Sequence, residues 1–262
     1  MAPLKDVLAE LNQKGQRRIF PYITRRLGGE DVVFFNWAYE EDPPMAIPLD
    51  TADEPNRFPI QLYHATASQV DLRGKKVLEV GCGHGGGADY VTRSLRPDSY
   101  TALDLNARGI AFCQRRNQLP ELEFIAGDAQ NLPFPDESFD AVINVESSHC
   151  YPRLDRFFAE VTRVLRGGGD FLYTDMRPAK HVAEWEAAIA DTPLQVVAER
   201  DIGVEVVRGM ENNSSQMRPL IDRMPAPLRR LAPLWAPVRG SNIQKELRRG
   251  QLVYRIYHLT KP

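Results

Sequence analysis

Residues 146–151, Glu-Ser-Ser-His-Cys-Tyr, place an acid, an imidazole, a thiol and several hydroxyls within one short segment. His149 is the candidate general base, because histidine titrates close to neutral pH. Glu146 could orient the imidazole, as a carboxylate does in a catalytic triad, or could cap the helix that follows. The alternative for His149 is that it packs beside a bound ligand or only hydrogen-bonds the backbone. The segment therefore predicts a base, or a residue that contacts the molecule being altered.

A glycine-rich turn follows an apolar run near residue 77. Gly81, Gly83 and Gly85 can adopt positive φ, and they lack the Cβ that would keep a ligand away from the backbone. The helix that begins there points free N–H groups and its positive dipole end toward a ligand. The turn therefore predicts a site for a nucleotide-containing cofactor.

The spacing of the glycines fits two cofactor motifs. Gly81, Gly83 and Gly86 satisfy G-x-G-x-x-G, the dinucleotide fingerprint. Glu79 with Gly81, Gly83 and Gly85 satisfies acid-x-G-x-G-x-G, which resembles motif I of the class I S-adenosylmethionine-dependent methyltransferases. An acid is unfavourable beside a pyrophosphate, but it suits a ligand that carries an ammonium and a sulfonium. Glu79 thus favours S-adenosylmethionine, and a nicotinamide dinucleotide is the alternative.

Two further acids follow predicted strands. Asp104 ends the second strand, 19 residues after Gly85, where a carboxylate can accept both ribose hydroxyls. Asp128 and Ala129 lie in a Gly-Asp-Ala segment. It resembles the methyltransferase segment in which the Asp side chain accepts the adenine amino group and the next N–H meets the ring. The resemblance assigns the cofactor to Glu79, Gly81, Cys82, Gly83, Gly85, Asp104, Leu105, Asp128, Ala129 and Asn144.

Alternating strands and helices predict an α/β fold with a parallel sheet and helices on both faces. Strands are predicted at residues 77–78, 100–104, 124–129, 141–145, 170–175, 194–198 and 252–260. The resemblance implies a Rossmann-like, seven-stranded class I methyltransferase sheet, with the last strand antiparallel and inserted at its edge. Residues 165–169, Leu-Arg-Gly-Gly-Gly, are predicted to end the helix before the fifth strand.

The predicted domains are an N-terminal lid, residues 1–65, and a cofactor-binding core, residues 66–262. In the lid, Leu4, Val7, Leu8 and Leu11 share one helix face. Arginines at 17–26 flank apolar residues that could rest on anionic lipid, and a solvated helix face is the alternative. Aromatic residues at 32–39 either plug the sheet or cover cofactor and acceptor. The candidate acceptor contacts are Tyr22, Trp37, Tyr39, Tyr63 and His64.

Composition narrows the class of protein. A chain of 262 residues with 43% hydrophobic content can bury one sizeable core. A net charge of −2 argues against a nucleic-acid-binding protein, because such domains are usually strongly basic. Three scattered cysteines suit a reducing compartment and predict neither a disulfide framework nor a metal site. With no signal segment or long apolar run, we expect a cytoplasmic protein without a membrane span.

Five longer strings carry a closer resemblance, at residues 36–45, 53–57, 62–64, 82–87 and 144–152. Together they resemble the mycobacterial phthiotriol/phenolphthiotriol dimycocerosate methyltransferases and the related fatty-acid O-methyltransferases. The resemblance covers the chain from about residue 30 onward and departs from the group's Arg-Pro-Gly-Gly at residues 166–169. It implies a lipophilic acceptor, either a hydroxyl on a long-chain lipid or a fatty-acid carboxyl. Residues 203–250 would then shape the acceptor pocket.

The resemblance thus implies methyl transfer from S-adenosylmethionine to an oxygen of a lipid, with S-adenosylhomocysteine as the product. Such a displacement mainly requires alignment of the reactants and exclusion of water. A hydroxyl also requires a base, whereas a carboxylic acid is already ionised at neutral pH. The alternatives are carbon methylation or cyclopropanation of a lipid, and methylation of another small hydrophobic natural product. A further one is a non-catalytic partner that only binds the cofactor.

Overall fold

The chain folds around a seven-stranded sheet, and the computed structural model describes residues 32–222 and 238–262. The strands are β1 Lys76–Val80, β2 Ser99–Asp104, β3 Leu122–Ala126, β4 Phe139–Val145, β5 Leu165–Pro178, β6 Gln195–Asp201 and β7 Leu252–Thr260. The α-helices of these residues are α1 Arg57–Ala67, α2 Gly86–Leu95, α3 Ala107–Arg116, α4 Leu154–Val164, α5 Val182–Ala190, α6 Gly203–Asp222 and α7 Asn242–Arg248. Short 3₁₀ helices lie at Glu54–Asn56, Ser148–Cys150 and Ala179–His181.

Strands β1 to β5 form a parallel sheet, and β7 is antiparallel to both of its neighbours. The order across the sheet is β3-β2-β1-β4-β5-β7-β6. The predicted seven-stranded α/β architecture is therefore confirmed. The last strand is antiparallel, as predicted, but β6 pairs along its outer side and occupies the edge instead.

Helix α4 ends at Val164, where residues 165–169 begin, as predicted, and Leu165 is its C-cap. The glycine triplet at residues 167–169, however, already belongs to strand β5. Gly168 donates its N–H to the carbonyl of Lys261, and the N–H of Lys261 donates to the carbonyl of Gly169. Gly168 has a positive φ of 74°, and the pairing of β4 with β5 shifts register here, so the triplet is an irregular part of the strand tied to the C-terminal residues.

Helices cover both faces of the central sheet, which explains why its inner strands are mainly apolar. Val77, Leu78 and Val80 of β1 are all fully buried. Leu78 and Val80 belong to one hydrophobic cluster together with Phe157 of α4. Val77 belongs to the opposite cluster together with Ile60 of α1. The side chains of β1 therefore contribute to both hydrophobic clusters, one on each face of the sheet.

The parallel strands bring their carboxyl ends to one edge of the sheet, where open α/β proteins bind ligands. Helix α1 continues past residue 65, the predicted domain boundary, and packs on this core. Two parts of the chain lie outside the described residues. The first contains the predicted helix at residues 4–11 and Tyr22, and the second contains the apolar residues 223–235. Among the helices of residues 32–222 and 238–262, none is long and apolar enough to cross a bilayer.

Candidate active site

The glycine-rich turn after β1 forms one end of a cavity of about 380 Å³, which we call the inner cavity. Gly81, Gly83 and Gly85 all have positive φ, the conformation that favours glycine. The N–H groups of Gly81 and Cys82 donate to the carbonyl of Leu103, at 2.7 and 3.1 Å, and so tie the turn to β2. A Cβ at Gly81 would overlap Ser147 and would lie 2.9 Å from the Tyr151 hydroxyl. Glycine is therefore required at this position by both conformation and space.

Glu79 lies beneath this turn rather than on the wall of the inner cavity. Its carboxylate is fully buried and accepts hydrogen bonds from the hydroxyls of Tyr63 (2.8 Å) and Tyr100 (2.9 Å). Burial raises the pKa of Glu79 to about 7, although the two phenols act in the opposite direction. The Tyr63 ring in turn fills the space that a Cβ at Gly87 would need. Glu79 and Tyr63 thus support the turn from below.

Asp104 stands at the end of β2, on the wall of the inner cavity. Its two oxygens accept the N–H groups of Gly83 (2.9 Å) and Asn106 (2.8 Å). Burial raises the pKa of Asp104. Each oxygen retains a further lone pair toward the cavity, because a carboxylate can accept about four hydrogen bonds. Asp128, Ala129 and the exposed side chain of Leu105 continue the same wall.

His149 is held by Asp175, the residue that follows Thr174 in β5. Nδ1 of His149 lies 2.7 Å from Oδ1 of Asp175, and the backbone N–H of His149 donates to the other carboxylate oxygen at 2.9 Å. The contact forms because Thr174 pairs with Val145 at the end of β4, just before the turn that carries His149. The Asp175 side chain is fully buried, whereas 31% of the His149 side chain is exposed. The imidazole therefore faces open space while its orienting group is enclosed.

The electrostatics of this pair favour an ionised histidine. Burial by itself would lower the pKa of His149, but the Asp175 carboxylate raises it well above its usual value. Burial would likewise raise the pKa of Asp175, but His149 and the Arg177 guanidinium, 3.2 Å away, hold it well below its usual range. One carboxylate, that of Asp175, thus faces two cations, His149 and Arg177.

Glu146 does not orient His149, and the prediction of that role is corrected: Asp175 supplies the orienting carboxylate. Glu146 has a positive φ of 46° and lies on the wall of the inner cavity. It accepts the backbone N–H of Trp37 at 2.7 Å and the hydroxyl of Tyr254. Burial raises its pKa to about 8. Its carboxyl therefore connects the segment before α1 to strand β7 rather than capping a helix.

Comparison with known proteins assigns the chain to a family. Residues 78–173 match the family described as Methyltransferase domain. The phthiotriol/phenolphthiotriol dimycocerosates methyltransferase of Mycobacterium tuberculosis is 57% identical over 92% of this chain and 90% of its own length. The fatty-acid O-methyltransferase of Mycolicibacterium smegmatis is 57% identical over 95% of this chain and 91% of its own. This chain belongs to that methyltransferase family.

The fold of the methyltransferase agrees with this assignment. A geranyl diphosphate C-methyltransferase of Streptomyces coelicolor, solved with S-adenosyl-L-homocysteine, superposes with a TM-score of 0.67 at 16% identity, over 96% of this chain and 98% of that one. The Rossmann-like class I fold predicted from the sequence is therefore confirmed. The enzyme uses S-adenosylmethionine, as its motifs predicted, and the nicotinamide alternative is not supported.

The inner cavity of the methyltransferase fits this cofactor. Its glycine-lined end offers backbone to the methionine part, and Asp104 offers carboxylate oxygens at the position expected for the ribose. Its volume lies within the usual range of small-molecule sites. Among the predicted cofactor residues, the wall is formed by Gly81, Gly83, Asp104, Leu105, Asp128 and Ala129. In the described part of the chain, no cluster of His, Cys, Asp or Glu could hold a metal ion.

Four predicted cofactor residues lie behind that wall. Cys82 is buried, and a Cβ at Gly85 would meet the Phe124 ring. Asn144 donates to the carbonyl of Val80 and to Oγ of Ser147, at 2.8 and 2.7 Å. With Glu79, these residues shape the backbone that meets the cofactor, and the prediction of direct contact stays a prediction.

The predicted acceptor residues are divided between the site and the core of the methyltransferase. Trp37 lines the inner cavity. Tyr39 is fully buried, and its hydroxyl is bonded to Glu41 and Arg200 at 2.7 and 2.6 Å. His64 bonds the hydroxyl of Tyr90 at 2.8 Å. The structure therefore brings Trp37 to the site, and it places Tyr39 and His64 in contacts away from it.

Sequence reasoning named the segments that contain Phe35 and Tyr151, at residues 32–39 and 146–151, but it did not single out these two residues or Met176 as wall residues. Phe35 lines the inner cavity, with its ring 4.4 Å from that of His84 in the glycine turn. Tyr151 and Met176 complete the wall near His149. Asp175 was missed although it ends the predicted fifth strand, residues 170–175, because only the pairing of β4 with β5 shows that it meets His149.

Proposed function

We propose that this enzyme transfers the methyl group of S-adenosylmethionine to an oxygen of a lipophilic acceptor, and that the reacting oxygen lies against His149. The observation that carries the proposal is the pairing of His149 with the buried Asp175 at the wall of the inner cavity. The names of two relatives at 57% identity, one acting on phthiotriols and one on fatty acids, support a lipid acceptor. Location in the cytoplasm stays a prediction.

S-adenosylmethionine, when bound, supplies an electrophilic methyl group on a sulfonium. The protein must then align the acceptor oxygen and keep water away. Asp175 accepts a hydrogen bond from Nδ1–H of His149, which leaves Nε2 as the ring nitrogen that can contact the acceptor. Phe35 and Trp37 cover the inner cavity with aromatic surface. His149 therefore serves as the polar contact for the oxygen at the wall of the inner cavity.

The ionised form of His149 favours a carboxylate over a hydroxyl as the acceptor. Asp175, Ser148 and Met176 engage the Arg177 guanidinium. Asp175 engages only Nδ1 of the His149 ring, so Nε2–H of the imidazolium is left to meet an anion. An imidazolium can pair with a carboxylate and leave its second oxygen free to attack, and no proton has to be removed. A hydroxyl acceptor would instead require the neutral imidazole as a base. We therefore propose a fatty-acid carboxyl, with a long-chain hydroxy-lipid as the second candidate because a relative of equal identity is named for it.

The experiment is turnover of S-adenosylmethionine carrying a labelled methyl group, with free fatty acids and long-chain diols as acceptors. Base-labile label on the acids would identify methyl esters and support the carboxyl proposal. Base-stable label on the diols would identify ethers and support the second candidate. Label on carbon, or absence of transfer to either class by an enzyme that binds S-adenosylhomocysteine, would overturn the proposed function.

A further inference from the structure

A second cavity of about 490 Å³ adjoins the inner cavity, and we call it the outer cavity. His149, Tyr151 and Met176 line both cavities, so these three residues form the boundary between them. The remaining wall comes from the end of β5, from helix α5, and from the first residues of α4 and β7. A molecule whose reacting atom lies at His149 can therefore extend into the outer cavity.

The surface that the outer cavity offers to a ligand is mainly apolar. Leu154, Pro178, Ala188 and Leu252 contribute aliphatic wall, and Trp185 contributes an indole. The polar groups are concentrated near His149 and at the exposed side chains of His181 and Glu184, so a polar end and a hydrocarbon body are both accommodated. This combination matches a fatty chain that ends in an oxygen group.

Arg177, the cation on this wall, has its donors engaged by the protein. One of its terminal nitrogens donates to the carbonyl of Met176 at 2.6 Å, and the other donates to Oγ of Ser148 at 2.8 Å. The guanidinium lies 4.8 Å from the centre of the Trp185 ring, and it pairs with Asp175. The guanidinium thus presents a flat surface beside the indole, and its hydrogen-bond donors already have acceptors within the protein. It does not call for a second anion.

We propose that the outer cavity binds the alkyl chain of the acceptor, with the methylated oxygen at His149 and the chain directed toward helix α5. The inference rests on the proposed function, because it requires a lipophilic acceptor whose reacting oxygen meets His149. It adds the location of the alkyl chain and the residues that limit its length. Each methylene buried there raises the affinity for the acceptor roughly fourfold. The depth of the outer cavity therefore determines the preferred length of the alkyl chain.

Helix α5 provides a matched pair of variants. Ala188 lines the outer cavity, whereas Ala187, one position earlier, is exposed to solvent. Ala188→Phe fills the cavity, and we expect kcat/KM for the longest fatty acids to fall on the order of tenfold. Values for short acids should stay unchanged, and Ala187→Phe should leave the whole profile unchanged. The dissociation constant of S-adenosylhomocysteine confirms that each variant is folded.

Leu154→Ala provides a test that adds no volume to the core. This variant enlarges the outer cavity, and we expect the preferred chain to become longer or more branched. Identical chain-length profiles for wild type, Ala188→Phe and Leu154→Ala would overturn the inference while lipid methylation itself remained. Loss of all lipid turnover in the wild-type enzyme, with cofactor binding retained, would instead be the failure of the proposed function.

Discussion

Nδ1 of His149 lies 2.7 Å from Oδ1 of Asp175, so a partly exposed imidazole is joined to a fully buried carboxylate. The two residues are far apart in sequence, but the pairing of β4 with β5 brings them together. Asp175 fixes the ring orientation, keeps the proton on Nδ1 and raises the pKa of His149. One carboxylate thus determines both the geometry and the charge of the group that meets the acceptor.

Asp175→Asn should therefore impair the reaction without impairing cofactor binding. The amide removes the charge that holds His149 in its ionised and oriented form, and we expect turnover to fall on the order of 10²-fold. Asp175 does not line the inner cavity, so the dissociation constant of S-adenosylhomocysteine should change little. Steady-state kinetics and calorimetric titration measure the two quantities.

A second buried Asp–His pair in the same strand supplies the control for this variant. Oδ1 of Asp170, which lies in β5 on the N-terminal side of Asp175, is 2.8 Å from Nε2 of His258. Asp170→Asn removes a comparable pair away from the site and should leave turnover unchanged in the folded protein. Equal losses in both variants would show that the effect of Asp175 is structural.

The pH dependence of turnover should reveal the protonation state in which His149 acts. Its pKa is raised, so the imidazolium persists above the usual range and is lost as the pH rises through that higher value. With a carboxylate acceptor, kcat/KM should fall as the pH rises through the pKa of His149, and this fall is the alkaline limb of the pH profile. A base for a hydroxyl acceptor would give the opposite slope, with kcat/KM rising as His149 loses its proton.

Variants assign this limb to a particular residue. His149→Gln should abolish it. Glu146→Gln should retain it, although the pKa of Glu146 is raised to about 8 and its carboxyl lies on the same cavity wall. Persistence of the limb in His149→Gln would assign it to another group and contradict the proposed ion pair.

Gly81→Ala should weaken cofactor binding, because the new Cβ overlaps Ser147 where the turn meets the cavity. Gly74 gives a matched control: it has a similarly positive φ of 73°, and a Cβ there meets nothing within 4 Å. Both variants incur the backbone cost of about 1–2 kcal/mol in the free energy of unfolding. Only Gly81→Ala should also raise the dissociation constant of S-adenosylhomocysteine, on the order of tenfold. Equal affinities in the two variants would show that the turn tolerates displacement.

The fold was predictable from the sequence because its signals are local. Apolar strands, glycine turns and strand-end acids each lie within a few residues, so Gly81 and Asp104 could be assigned to the cavity in advance. The partner of His149 could not be found locally, since strand pairing brings Asp175 to it. Proximity in sequence suggested Glu146 instead, but its carboxyl bonds Trp37 and Tyr254. Tyr39 illustrates the same limit, because its hydroxyl accepts a hydrogen bond from Arg200, which is distant in sequence.

Glu146→Gln should change how stability depends on pH. Burial raises the pKa of Glu146 from its ordinary value of 4.5 to about 8 in the folded protein, so the folded state binds this proton more tightly than the unfolded state. The free energy of unfolding contributed by Glu146 therefore falls as the pH rises through that window. Glutamine can still accept the N–H of Trp37 and the hydroxyl of Tyr254, but it has no proton to lose. In urea unfolding, Glu146→Gln should gain stability relative to wild type between about pH 5 and about pH 9. The control is Glu246→Gln, which replaces an exposed carboxyl on α7 and should follow the wild-type curve. Parallel curves for all three proteins would show that Glu146 is ionised in the folded state throughout, stabilised by its two donors.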